Sequence, residues 1–79
     1  MLSFGKDISQ SHFVEHVQFA ARLLVIGRGV KQDVIEGMKW HLLARAAGVG
    51  DAWLDSQLNL LTQWQRDAVD AAVKQYVGS

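Results

Sequence analysis

The chain has 79 residues, with eight basic and eight acidic side chains and no cysteine. The zero net charge argues against a nucleic-acid-binding domain that relies on phosphate attraction, because such domains carry a basic excess or stripe. The absence of cysteine excludes a disulfide framework and a thiolate zinc site. This length predicts one small domain, residues 1–79, with an unfolding free energy of roughly 4–12 kcal/mol.

The beginning of the chain shows no secretory signal, because no basic segment runs into a long apolar one. The longest apolar run, 23–26, is far shorter than the roughly 20 residues that cross a bilayer. We therefore expect a cytoplasmic protein without a membrane partner.

Apolar residues at helical spacing predict four helices and no strand. The first helix runs from about Ser9 or Ser11, each of which could be its N-cap, to about Ile26. Gly27 and Gly29 then let the backbone adopt positive φ and reverse its direction.

The remaining helices are marked by short polar signals. Asp33 can cap a second helix that runs to about Ala47 and is stopped by Gly48–Val49–Gly50. Asp51 can cap a third helix through about Leu61. After it, Thr62 and Gln65 form a capping box that predicts a fourth helix.

The glycine turn and the second helix share a distinctive spacing of glycine, aspartate, tryptophan and alanine. The residues that carry it are Gly27, Gly29, Val30, Asp33, Gly37, Trp40, Ala44 and Gly48. This pattern resembles the Sel-one-like repeat, a relative of the tetratricopeptide repeat. Gly37 departs from it, since alanine is usual there and glycine weakens a helix by about 1 kcal/mol. Ala21 and Leu24 stand where the family commonly has glycine and tyrosine.

The resemblance implies an all-α fold of the right-handed superhelical type. It places an αα-hairpin repeat at 9–50, followed by two shorter capping helices at 51–77, similar to the ends of bacterial repeat arrays. A single repeat cannot bury both of its apolar faces. We expect Trp53 and Trp64 to fill one side as large core residues, and the side formed by the first helix to meet another molecule.

These features predict a non-enzymatic adaptor that binds a protein or peptide and could form a homodimer. The resemblance implies that the first helix of the hairpin lines the concave binding surface, so the predicted contacts are its exposed side chains, namely His12, Glu15, Gln18, Phe19 and Arg22. A second interpretation is a structural cap that packs on a longer array and has no ligand of its own. No catalytic residue, metal ligand or cofactor is predicted.

One motif suggests chemistry instead. His12, Glu15 and His16 spell the H-x-x-E-H pattern of inverted zinc peptidases, in which two histidines of one helical face hold zinc and the glutamate activates water. Such a site also needs a third ligand and a substrate cleft. The third histidine, His41, lies on another helix without a supporting motif, so a zinc hydrolase is a remote alternative.

Overall fold

The computed structural model describes the backbone of residues 2–78 and the side chains of residues 13–78. It contains four α-helices, which are α1 (Leu2–Ile26), α2 (Val34–Ala46), α3 (Ala52–Asn59) and α4 (Gln63–Gly78). Residues 2–78 include no strand, so the prediction of an all-α chain with four helices is confirmed. Within the same residues, no helix combines the length and apolarity needed to cross a membrane.

Two predicted helix boundaries and one predicted relative length are wrong. Helix α1 begins at Leu2, so Ser9 and Ser11 lie inside it and neither is its N-cap. Serine is tolerated inside a helix at small cost, and no proline precedes these positions to prevent an earlier start. Helix α3 ends at Asn59 rather than Leu61. Helix α4 has 16 residues against 13 in α2, so it is not a short cap.

The N-caps predicted for α2 and α3 and the capping box predicted for α4 are confirmed. The Asp33 carboxylate accepts a hydrogen bond from the Glu36 N–H at 3.0 Å, and the Asp51 carboxylate accepts one from the Leu54 N–H at 3.1 Å. Before α4, two reciprocal bonds form the capping box. The Thr62 N–H donates to the side-chain oxygen of Gln65 at 3.0 Å, and the Gln65 N–H donates to the Thr62 hydroxyl at 3.1 Å.

The turn between α1 and α2 satisfies the carbonyl groups at the end of α1. Gly27 and Gly29 have φ values of +81° and +78°, as their spacing predicted. The Leu23 carbonyl accepts bonds from two N–H groups of the turn, and the next two carbonyls accept from the Asp33 N–H and the Gln32 amide. The chain can therefore reverse without leaving these polar groups unpaired.

Helix α2 ends in the conformation that its glycine predicts. Gly48 has a φ of +103° and donates its N–H to the Arg45 carbonyl at 3.0 Å. The Val49 N–H donates to the Ala44 carbonyl, also at 3.0 Å. This pair of bonds is a Schellman motif, in which a left-handed residue closes the helix end.

Helix α2 is central, because it contacts α1, α3 and α4. The buried core cluster contains Ala21, Val25, Met38, Leu54 and Val69. Trp40 packs against it as a partly buried residue. The expectation that Trp53 and Trp64 fill the core is wrong, since both are exposed and Trp64 leaves 75% of its surface in solvent. Helix α4 instead uses its Val69 face to cover the core.

Candidate interaction site on helix α1

One face of α1 is held tightly against α2. At Gly37 the two backbones approach so closely that an added Cβ would lie 2.7 Å from Val25 Cγ2 and 2.9 Å from the Ala21 carbonyl oxygen. Gln18, Ala21 and Val25 are buried on this side of α1. Their spacing of three and four residues marks a single helical face, which α2 covers.

A buried polar chain fixes the register of this contact. The Gln18 amide nitrogen donates to the Val49 carbonyl at 2.6 Å, so its side-chain oxygen faces His41 Nδ1, 2.8 Å away. On the other side of the ring, His41 Nε2 lies 2.7 Å from Asp55 Oδ1, which also accepts a bond from Arg45 at 2.9 Å. Both ring nitrogens of His41 therefore lie within hydrogen-bonding distance of an acceptor oxygen.

A second polar contact joins α1 to the start of α3. The Arg22 guanidinium makes a two-pronged contact with Asp51, at 3.1 Å and 2.9 Å. Its central carbon lies 4.9 Å from the centroid of the Trp53 ring, within cation–π range. Because Asp51 also caps α3, Arg22 helps to set the position of that helix on α1.

The predicted contact residues of α1 do not form one exposed set. Gln18 is buried and bonded to His41 and Val49, so the prediction that it is an exposed contact is wrong. Arg22 is partly exposed but engaged with Asp51. Phe19 leaves 60% of its surface in solvent, and Glu15 is exposed. The side chain of His12 lies outside the described residues.

The side of α1 opposite α2 is apolar and open. We call it the outer face and define it as His16, Phe19, Ala20, Leu23 and Ile26, which recur at helical spacing. All but the partly buried Leu23 are exposed. The composition of this helix therefore differs from that of an ordinary surface helix, whose solvent side is polar. Phe19 of this face is a predicted contact, whereas Ile26, which leaves 46% of its surface in solvent, is not.

A small apolar cleft lies beside the outer face, between α1, α2 and α4. Its volume is about 140 Å³, and it is lined by Phe13, Val14, Val17, Trp40, Leu43, Ala44, Ala47 and Tyr76. Trp40 and Tyr76 meet edge to face with their ring centroids 5.1 Å apart. Ligand pockets usually measure roughly 300–1,000 Å³, so this cleft has room for one large side chain rather than a cofactor.

The proposed zinc motif gains no third ligand from the described residues. Both ring nitrogens of His41 are occupied by Gln18 and Asp55, and the ring is fully buried. Among residues 13–78, no group of three histidine, aspartate or glutamate side chains is placed to hold a metal ion. His16 belongs to the exposed outer face. The motif is thus confined to α1, with its first histidine outside the described side chains.

Asp51 and Asp55 connect α3 to the rest of the molecule, and both make the stability of the folded protein depend on pH. Burial alone would raise the pKa of Asp51, but the Leu54 N–H and the Arg22 guanidinium outweigh it and lower that pKa. The hydrogen bond from His41, assisted by Arg45, lowers the pKa of Asp55. A carboxylate whose pKa falls on folding stabilises the native state above its ordinary pKa of about 4, and this stabilisation is lost as the pH falls below that value.

We therefore expect the urea midpoint to be steady from about pH 6 to pH 5 and to fall steeply below about pH 4. Asp51→Asn keeps a good N-cap but removes the charge, so it should reduce this pH dependence. The measurement is urea denaturation at several pH values, with unfolding monitored by circular dichroism. An Asp51→Asn variant with the same pH dependence as the parent chain would contradict the assignment.

Comparisons with protein-family models, curated proteins and solved structures gave no match for this chain. The resemblance to the Sel-one-like repeat therefore stays a prediction from its motif residues.

Proposed function

We propose that this chain is a non-enzymatic protein-interaction module that binds its partner through the outer face of α1. The observation that carries the proposal is that α1 is apolar on two opposite sides, of which α2 covers only one. Exposed apolar patches rimmed by polar groups are typical of interaction sites on soluble proteins.

The fixed position of α1 supports this proposal. The Gly37 approach, the Gln18–His41 contact and the Arg22–Asp51 ion pair hold the helix from the inner side. A partner would therefore meet a surface whose backbone is already in place, which lowers the conformational cost of binding. Phe19 stands at the middle of this surface and is the expected anchor, because aromatic side chains contribute most to such contacts.

The test places a photo-crosslinking phenylalanine analogue at position 19 and, as a matched control, at position 64. Both positions hold exposed aromatic side chains, but Trp64 lies on α4 rather than on α1. In cells that express the chain, we expect a defined crosslinked protein or peptide from position 19 that position 64 does not give. Equal crosslinking from both positions would show nonspecific contact and contradict the proposal.

The same experiment distinguishes the structural-cap interpretation. Crosslinks from position 19 confined to an adjoining helical segment of the same polypeptide would mean that the outer face only packs within one array. That result would contradict an interaction module and favour a cap, because a solenoid buries such faces between neighbouring repeats.

A further inference from the structure

We infer that the partner of the outer face is a second copy of this chain, with the two α1 helices packed antiparallel about a two-fold axis near Phe19. This inference rests on the proposed function, because it names the occupant of the surface described there. Two-fold dimers are the commonest protein oligomers, and they use one self-complementary patch on both copies.

Charge complementarity favours this arrangement. Glu15 and Arg22 are seven residues apart, about two helical turns, so they lie on the same flank of α1. An antiparallel pair with its axis between residues 18 and 19 brings Glu15 of each copy opposite Arg22 of the other. A guanidinium carries five N–H donors, and the bond to Asp51 uses two of them. A parallel pair makes no such contact, because its two-fold axis runs along the helices and puts the Glu15 and Arg22 flanks of the two copies on opposite sides of the interface.

The apolar residues fit the same axis. It brings the two Phe19 rings next to each other at the centre, where an interface is driest and anchors are most effective. Ala20 has a small side chain, which lets the two helices approach closely. His16 of one copy comes to lie between Ala20 and Leu23 of the other. The formal net charge of zero leaves no overall repulsion between the copies.

The size of the outer face sets the expected affinity of the dimer. A phenylalanine that is 60% exposed offers about 90–150 Å² of ring surface, given the roughly 150–250 Å² that an aromatic side chain can bury. The other four residues of the outer face are smaller than Phe19, so the five together offer less than the about 800 Å² that each partner contributes to a standard interface. We expect a weak dimer, with a Kd on the order of 10 µM.

The test is sedimentation velocity on the whole chain across a concentration series from about 1 to 500 µM, in which a weak dimer forms by mass action. Phe19→Asp should raise the dimer Kd by more than about tenfold. Glu15→Lys should raise it by about fivefold, with a larger effect at low salt, because it places a cation opposite Arg22. The matched control Trp64→Asp changes an aromatic residue that is more exposed than Phe19, at 75% against 60%, and should leave the Kd unchanged. Circular dichroism of each variant checks that its helices remain.

The outcomes separate this inference from the proposed function. A chain that stays monomeric throughout the series overturns the dimer, whereas the crosslinks from position 19 decide on the interaction module independently. A dimer that is lost in Trp64→Asp but kept in Phe19→Asp would place the interface at α4 and also overturn the inference. A dimer that Glu15→Lys strengthens would contradict the antiparallel pairing.

Discussion

Replacing His41 with leucine is expected to lower the free energy of unfolding by about 2–3 kcal/mol. The ring is fully buried and joins Gln18 of α1 to Asp55 of α3. Leucine has no donor, so the buried oxygen of Gln18 would lose its hydrogen bond, while Asp55 would keep Arg45 and solvent. Urea denaturation at neutral pH measures the effect, which is a large share of the total stability of so small a domain.

Two further variants make this prediction specific. His16→Leu changes an exposed histidine and should alter stability by less than about 0.5 kcal/mol, provided the protein is dilute enough to be monomeric. In the double variant Gln18→Leu/His41→Leu both polar partners are gone, so the cost should fall below the sum of the single costs by about 1 kcal/mol or more. Strictly additive effects would mean that the two side chains are not coupled.

The local signals of the sequence predicted most of the fold. Each confirmed cap depends on a side chain and a backbone group only three residues apart, as between Asp51 and Leu54. Glycines with positive φ are equally predictable from local sequence, because only a residue without a Cβ adopts that backbone conformation easily. The start of α1 was not predictable in this way, since the serines at positions 9 and 11 permit a helix start without requiring one.

The long-range polar contacts were not predicted, although the helical spacing of the sequence already indicated which of their residues are buried. Gly37, His41 and Ala44 follow the spacing of one helical face, which marks His41 as buried rather than as a surface ligand. Gln18 likewise shares a face with Ala21. The spacing could not predict that Gln18 pairs with His41, because the two residues are 23 positions apart and meet only once the helices pack. For the same reason the exposure of Trp64 was not predicted, because it depends on which face of α4 meets α2.

Replacing Gly37 with alanine tests the geometry that leaves the outer face of α1 open. Helix propensity alone predicts that alanine stabilises α2 by about 1 kcal/mol. The structure predicts the opposite sign, because the new methyl group would meet Val25 Cγ2 at 2.7 Å and the Ala21 carbonyl oxygen at 2.9 Å. A backbone oxygen cannot move aside without shifting α1, so we expect a net loss of about 1–3 kcal/mol in the free energy of unfolding.

The matched control is Gly50→Ala, whose added methyl group would have no atom within 4 Å and whose φ is not positive. That variant should be neutral or gain up to about 1 kcal/mol, since alanine restricts the unfolded chain. Adding Val25→Ala to Gly37→Ala removes one of the two clashes. The double variant should therefore lose less stability than the sum of the losses of the two single variants. A Gly37→Ala chain that is more stable than the parent would mean that α1 and α2 lie further apart. The face of α1 that α2 covers would then no longer be fixed by this contact, and neither would the outward direction of Phe19.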